Sequence, residues 1–569
     1  MHFPTTTPRQ SLYYDYQVYP HFHSTQDIVT EEKTVTVVGA GPIGMTTALL
    51  LAKQGIKVIL LSSELQLSEG SRALVYTKRS MEILQNTGAA KRIMSRALPW
   101  THGNSIYKGQ VAFRMESPVS EHDQFAPLNN LQQNWLENYL LETIQEQPNI
   151  ELRWGNKVVD HQQDENIVTL TIHTPEGEYQ HSTQWLIAAD GGRSPIRERM
   201  KLRMQGASYE GRFVIADIRI HLDYPTERLA FFSPDWNPGN TILMHREPDH
   251  IWRFDYQLDP MITPEEALKA ENLHKAVNDQ LKMIGMDHLE WEMDWSTVYS
   301  ARALTLDHYV HNRIMFVGDA AHLLPIFGVR GANTGFQDAQ DLSWKLAAVV
   351  QGWAPEKLLE SYSFDRISAV REIIAEAGKS TRFMAPPTEG FRLLRNAVLS
   401  LSLEHEFVRP LYHWRTSRPH AYSHSLLNSQ FDDNTKMNEL MENGALIPNI
   451  KFDDGSFLYD HLSAQFSVVT FTQNGQLNID LVNEVNRLKE HGIPIQIIAL
   501  MLDDVYVKGV DHCLSITADI LTERLFSDIN TIYLVRPDHH INGRWLEYRK
   551  QAITETFNQY TLFTQGAVA

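Results

Sequence analysis

Apolar and polar positions follow two rhythms along this chain, and the switches between them mark out its elements. Residues 34–39 (Thr-Val-Thr-Val-Val-Gly) form a β-branched run closed by glycine, the pattern of a buried strand. Residues 42–54 carry Leu49, Leu50 and Leu51 and predict a helix, and Lys57 to Leu61 is a second apolar strand. This is a strand–turn–helix–strand unit of the Rossmann type. Residues 72–96 read as helical, and Phe125 to Asn130 lead into a further helix over 132–145. From Ile150 to Leu186 the alternation has period two, broken by turns such as Pro175-Glu176-Gly177, and predicts a meander ending in the strand Trp185 to Ala189.

Residues 209–258 alternate again around the turns Ser233-Pro234-Asp235 and Glu247-Pro248-Asp249, which predicts a second, antiparallel sheet. Helix follows over 264–284, a buried strand over Arg313 to Val317, a long helix over Thr334 to Gln351 and mostly helix over 355–416. The stretch Thr416 to Asp454 is polar and reads as a linker. After it come strand 466–471, helix 478–491, strand 494–501, helix 514–525 and strand 531–536, a separate α/β pattern.

At 569 residues the chain is longer than one typical domain. A net charge of -18 without a basic stripe argues against a nucleic-acid partner. The one cysteine, Cys513, excludes an internal disulfide or a CxxC redox pair and reads as a buried apolar residue. Residues 1–32 hold no signal-type apolar core, and no window approaches the roughly 20 apolar residues of a membrane span. A cytoplasmic protein without membrane partners is the expectation. The N-terminal tail carries Tyr13, Tyr14, Tyr16, Tyr19 and Phe22, a density of aromatics that predicts packing against the body.

Three separated segments carry chemistry. In Val37-Val38-Gly39-Ala40-Gly41-Pro42-Ile43-Gly44, Gly39 permits a tight turn out of the strand and Gly41 lets backbone approach a pyrophosphate. Gly44 allows close helix–strand packing, and the helix N-terminus offers free N–H groups and partial positive charge. The acid that usually ends the second strand of such a unit is missing; the ribose position falls on Ser62, followed by Ser63 and Glu64. The second segment is Ala188-Ala189-Asp190-Gly191-Gly192-Arg193-Ser194. In the third, Phe316-Val317-Gly318-Asp319-Ala320-Ala321-His322, a carboxylate at a strand end can accept a ribityl hydroxyl. The loop Pro325 to Asn333 then opens a helix, whose N-terminus with Arg330 would stabilise negative charge on a reduced flavin. His322 reads as a hydrogen-bonded structural histidine.

In this order the segments resemble the GxGxxG, DG and GD boxes of the FAD-dependent aromatic hydroxylases, the class A flavoprotein monooxygenases. The helix containing Asp338-Ala339 and Trp344-Lys345-Leu346-Ala347 is similar as well, and the resemblance covers roughly residues 33–400. It implies FAD held by Gly39, Gly41, Pro42, Ile43, Gly44, Ser62, Ser63, Arg72, Gln133, Val158, Asp190, Gly318, Asp319, Pro325, Arg330, Gly331, Ala332 and Asn333. The segments Tyr533-Leu534-Val535-Arg536-Pro537-Asp538 and Arg544-Trp545 resemble the thioredoxin-like C-terminal domain of larger members such as phenol hydroxylase. The implied fold class is α/β: a Rossmann-like FAD-binding domain, an inserted antiparallel-sheet substrate domain and a thioredoxin-like domain. The boundaries are a tail over 1–32, FAD-binding parts over 33–205 (with substrate-side residues near 100–130) and 299–415, a substrate sheet over 206–298, a linker over 416–454 and the last domain over 455–569. The chain departs from the family at Ser62, often a carboxylate, at Ile326, often proline, and at Val329, often glycine.

The resemblance implies that NADH or NADPH reduces FAD, that O2 adds as a flavin C4a-hydroperoxide, and that a phenolic or related small aromatic substrate is hydroxylated. Tyr76, His245 and Arg253 are the substrate-side candidates. A Baeyer–Villiger or epoxidising flavoenzyme, or a flavin-loaded protein that binds aromatics without turnover, are the alternative readings. The appended domain is compatible with a homodimer.

Overall fold

A computed structural model describes residues 1–24, 28–325, 327–412, 419–462, 464–503 and 506–559. Ile326 and the start of the expected linker lie outside the described residues.

The main sheet is built on four parallel strands in the order Ile314–Phe316, Gly177–Ala188, Ile28–Val38, Lys57–Leu61, with Ile150–Arg153 beyond them. Their register aligns Leu61, Val38, Ala188 and Phe316 in one row. All four strands therefore end at the same edge, the position at which open α/β sheets bind ligands. The strands read as continuous apolar runs because both faces are covered; Val35, Val37, Leu60, Leu186, Ile187 and Phe316 are fully buried. The meander Lys157–Gln163, Val168–Thr174, Gly177–Ala188 hangs from this sheet.

The second sheet has the order His322–Leu323, Trp291–Thr305, Gln205–Ile220, Ile251–Gln257, Thr241–Arg246, Arg228–Phe232, His102–Tyr107, Gln110–Glu116. It is larger than the alternation over 209–258 predicts. The long strand Trp291–Thr305 runs across residue 298, and two strands near 100–116 join through a parallel pair with Arg228–Phe232. One face packs on the helix Ala270–Met283 through Ala216, Ile218, Met244, Trp252 and Phe254. The opposite face looks toward the main sheet.

Residues 72–96 are not one helix. Val75–Thr77 is a strand, and Lys78–Thr87 and Ala90–Met94 are helices separated at Gly88, which takes a left-handed φ of 90°. The helix Gly331–Gln351 begins three residues earlier than Thr334, and the long helix Leu358–Met384 crosses behind it.

In the C-terminal part the sheet order is His512–Ser515, Ile495–Met501, Phe466–Thr472, Ile532–Val535, Ile541–Trp545, the first three parallel and the rest antiparallel. The helix expected over 514–525 shrinks to one widened turn, Ile520–Arg524, because His512–Ser515 pairs along the neighbouring strand. Cys513 on that edge is half-buried, not buried.

The described part of the polar stretch 416–454 is irregular but not a free tether. Tyr422, Leu427, Met441, Ile447 and Ile450 are buried, and Asn428 and Asn443 bond back to the backbone of its own turns. Its polarity serves internal turns rather than solvent. A buried ion network joins the parts: Arg536 reaches Asp341 (3.0 Å), Asp365 (3.5 Å) and Asp538, while Lys345 pairs with Asp341 at 2.8 Å.

The tail is packed, as its aromatics predict. Tyr19 stacks on Trp154 with centroids 4.7 Å apart, Phe22 N–H donates to Trp154 O, and Tyr14 and Tyr16 are buried.

Candidate flavin and substrate site

The shared strand edge assembles the three motif segments. Gly39 follows Val38 with φ of 111°, and a Cβ there would stand 2.3 Å from Ala189 O. A Cβ on Gly44 would stand 1.8 Å from Gly39 O. These two glycines are therefore required by close backbone approach. Gly41 differs: nothing lies within 4 Å of the Cβ position, and it caps the helix Pro42–Lys53 without any side-chain cap. The first-turn N–H groups thus have no side-chain cap, and the positive end of the helix dipole lies at this turn. That uncapped turn, open beside Gly41, fits a diphosphate.

Ile43 is the wedge that draws the third segment in. Cβ positions on Gly318 and Gly335 would meet it at 3.1 and 2.8 Å. Gly318 N–H donates to Asp338 Oδ2 (3.0 Å), and the same oxygen takes His322 Nε2 at 2.6 Å. Arg366 Nε completes the carboxylate at 2.7 Å. Burial pushes the Asp338 carboxyl up, but His322 and Arg366 overcome this and hold it below the usual value. His322 is thus a hydrogen-bonded structural residue. Asp319 points the other way. It is accessible to solvent, yet desolvation by surrounding protein raises its carboxyl, offset in part by His322 and Arg197. Both hold for a side chain on the floor of a groove. Arg197 ties the second segment to the third, donating to Ala320 O (2.9 Å) and Gly192 O (2.7 Å). Asp190 Oδ2 accepts from Ile196 N (3.3 Å), and burial raises its carboxyl.

Arg72 is exposed with a φ of 35°, on a loop clamped from two sides. Gln133 N–H donates to Ser71 O (3.1 Å), and Gln133 Oε1 accepts from Ala73 N (3.2 Å). Asn333, at the start of the helix Gly331–Gln351, accepts from Thr77 N (2.9 Å) and Ser80 Oγ (2.6 Å) and donates to Val75 O and Val329 O. Val329 adopts φ of 53°. A β-branched residue in the left-handed region is strained by about 1–3 kcal/mol, which accounts physically for the glycine found there in the resembling family. Pro325 and Arg330 are buried beside it, and Gly331 and Ala332 are partly exposed at the helix start.

Three residues expected at the cofactor also make contacts within the fold. Ser62 is 6% exposed and its hydroxyl donates to Glu64 O at 3.2 Å, closing its own turn, while Ser63 O accepts from His2 Nε2. Val158 takes its place in the hydrophobic core of the main sheet.

On the second sheet, the face toward the main sheet carries one polar row, in which Asp217 lies opposite Arg253, Arg253 opposite His245, and Arg228 beyond. Arg253 Nη1 donates to Arg72 O and to Ser71 Oγ (3.3 Å), and its Nε donates to Asp255 (2.9 Å). Asp217 accepts from Ser71 N at 3.3 Å. This row holds the Arg72 loop, so Arg253 is committed to the loop rather than to a substrate. His245 Nδ1 is enclosed and has no hydrogen-bond partner among the described residues, and burial, then Arg228 and Arg253, keep its pKa well below the ordinary value, so it is neutral. Burial pushes Asp217 up to about 7 and Glu247 well up; neither oxygen of Glu247 has a partner among the described residues. Along the same face Phe213, Ala230, Phe232, Leu243, Phe327 and Phe383 form an apolar cluster. Tyr76 does not join this face. It is fully buried in the main core, edge-on to Phe336, with its hydroxyl donated to Ala73 O (2.8 Å).

Sequence reading missed Asp217, Asp255, Glu247 and Arg366. The signal present was a carboxylate inside a β-branched run, Ile215-Ala216-Asp217-Ile218, and the i, i+2 pair Arg253 and Asp255 on one strand face.

The chain is similar to several known proteins. A family model described as an FAD binding domain matches residues 32–377. Para-nitrophenol 4-monooxygenase of Pseudomonas sp. (strain WBC-3) is 29% identical over 345 residues, 58% of this chain and 82% of that protein. The 3-(3-hydroxy-phenyl)propionate/3-hydroxycinnamic acid hydroxylase of Shigella sonnei is 26% identical over 375 residues, 66% of each chain. Among solved structures, the flavin-dependent monooxygenase PieE in complex with FAD and substrate superposes with a TM-score of 0.78 at 19% identity, covering 93% of this chain and 99% of that one. Aklavinone-11 hydroxylase with FAD and aklavinone gives 0.74 at 22% identity, covering 93% and 98%.

Proposed function

The chain belongs to the FAD binding domain family, and from that membership we propose that it is an FAD-dependent monooxygenase that uses NADH or NADPH and O2 to hydroxylate a phenolic or related small aromatic substrate. The observation that carries this reading is the convergence of Gly41, Asp190, Asp319 and the Gly331 helix start at one edge of four parallel strands. Bound there, FAD supplies the redox chemistry, accepting electrons from the nicotinamide and passing them to O2.

The chain's own residues bind, orient and shield. The uncapped turn at Gly41 holds the diphosphate, and Asp319 accepts from a hydroxyl of the linking chain. The start of the Gly331 helix and Arg330 place positive potential where reduced cofactor carries negative charge. The apolar cluster of Phe213, Phe232 and Phe327 excludes water from the reacting centre. In this reading His245, held neutral by burial and by Arg228 and Arg253, is a hydrogen-bond acceptor for the substrate hydroxyl and does not itself take the proton. The C-terminal sheet, three parallel strands followed by two antiparallel ones, supports a thioredoxin-like unit; with Cys513 alone it has no dithiol chemistry and serves packing.

The test is a panel of phenols and hydroxylated aromatic acids screened for stimulation of NAD(P)H oxidation by FAD-loaded protein. Stimulation, with a product one oxygen heavier on the ring, supports the reading. A ring-expanded lactone moves the answer to Baeyer–Villiger chemistry, and no stimulation by any member, with flavin bound, favours a sequestering protein.

A further inference from the structure

The N-terminal 24 residues precede the family match at 32–377, yet they are bonded to both segments that carry Arg72 and Gln133. Tyr16 donates its hydroxyl to Ser68 O (3.0 Å) and accepts from Gly70 N (3.3 Å) and from Asn134 Nδ2 (3.3 Å). A phenol offers one proton and two lone pairs, so this one is fully used. Tyr13 donates to the other end of the same amide, Asn134 Oδ1, at 3.1 Å. Asn134 follows Gln133, and Glu137 one turn on accepts from Ser68 N (2.7 Å) and Gln133 Nε2 (2.8 Å). One buried oxygen from the tail thus spans the gap between the loop leading into Arg72 and the helix end bearing Gln133.

The tail is itself anchored on the second sheet. Ser11 Oγ donates to Asp294 (2.9 Å), and Arg219 donates to Leu12 O (2.9 Å). Tyr14 packs edge-on against Tyr16 (4.7 Å) and Trp135 (4.8 Å). Arg72, at φ of 35°, keeps that conformation only if its surroundings impose it.

We infer that Tyr16, with Tyr13 behind it, is a positioning residue for the flavin cofactor: the tail fixes the spacing of the Arg72 loop and the Gln133 helix end and so sets the affinity for the dinucleotide. This rests on the reading that Arg72 and Gln133 face the cofactor.

The experiment titrates FAD into apoprotein of wild type, Tyr16→Phe, Tyr13→Phe and the double variant, following flavin fluorescence. Tyr19→Phe, whose ring stacks on Trp154 away from the loop, is the control. Arg72→Ala and Gln133→Ala test the underlying reading. Tyr16→Phe is expected to raise the Kd for FAD about five- to thirtyfold, the double variant more, and Tyr19→Phe less than twofold. The melting temperature of the FAD-free protein should fall by no more than a few degrees in each variant. An unchanged Kd in Tyr16→Phe and the double variant, while Arg72→Ala weakens binding, overturns the inference. So does a lower melting temperature with unchanged Kd, the signature of a purely structural tail. Unchanged binding in both Arg72→Ala and Gln133→Ala removes the reading itself, and the inference with it.

Discussion

Substituting alanine at Gly41 and at Gly44 separates cofactor binding from folding, although the two glycines stand three residues apart. At Gly41 the backbone has φ of -85° and ψ of -176°, which any residue adopts, and the Cβ position is open for 4 Å. The added methyl costs the fold little; it stands in the space where the diphosphate must approach the first-turn N–H groups. Gly41→Ala should weaken FAD binding at least tenfold, about 1.4 kcal/mol, and move the apoprotein melting temperature by no more than about 2 °C. At Gly44 the Cβ falls 1.8 Å from Gly39 O and 3.2 Å from Ala189 Cβ. The first contact is short of ordinary van der Waals separation by about 1.6 Å. The opposing atom is backbone, so the helix must move, at the upper end of the roughly 1–3 kcal/mol typical of overpacking. Ile43 moves with it and loosens Gly318 and Gly335. Gly44→Ala should therefore lower the apoprotein melting temperature by several degrees as well as weaken FAD. Fluorescence titration and differential scanning calorimetry read the two effects. Wild-type FAD affinity in Gly41→Ala, or an unshifted melting curve in Gly44→Ala, refutes the reasoning.

Arg366→Met leaves Asp338 with one fewer cation in a fully buried setting, and urea unfolding should show a loss of about 3–5 kcal/mol; removing the exposed Arg392 pair should cost under about 1 kcal/mol. Val329→Gly relieves a left-handed φ, so unfolding should show neutral or slightly raised stability rather than the loss usual for glycine. Asp217 has a folded pKa raised to about 7 from an ordinary 3.8. Its contribution is therefore complete below about pH 4 and is lost as pH rises toward 7. Denaturant midpoints should fall over that window in wild type and fall less in Asp217→Asn; parallel profiles would count against the assignment.

The cofactor edge was legible because its requirements are backbone requirements. A glycine that meets Ala189 O or Gly39 O has no substitute, so the GxGxxG turn shows in the sequence as plainly as in the fold. The strands that carry the three segments were readable for a related reason: burial on both faces leaves only β-branched and apolar residues. The polar row was not legible. Asp217, His245 and Arg253 meet only because antiparallel register places three separate strands side by side, and no local pattern encodes that register. Tyr76 shows the converse. Its place near Arg72 suggested a pocket residue, but the short strand Val75–Thr77 turns its ring into the core. Ser62 sits where an acid is usual, and its hydroxyl is consumed by the turn to Glu64. The polar stretch after residue 418 misled because asparagine and serine that close buried turns have the same composition as a solvated linker.

The most direct measurement of the central claim is turnover of an active phenol under O2 enriched in the heavy isotope. One labelled oxygen atom on the ring of the product, formed with one equivalent of NAD(P)H and only when FAD is bound, is the predicted result. Product oxygen drawn from water, or nicotinamide oxidation that yields peroxide and leaves every aromatic unchanged, would contradict it.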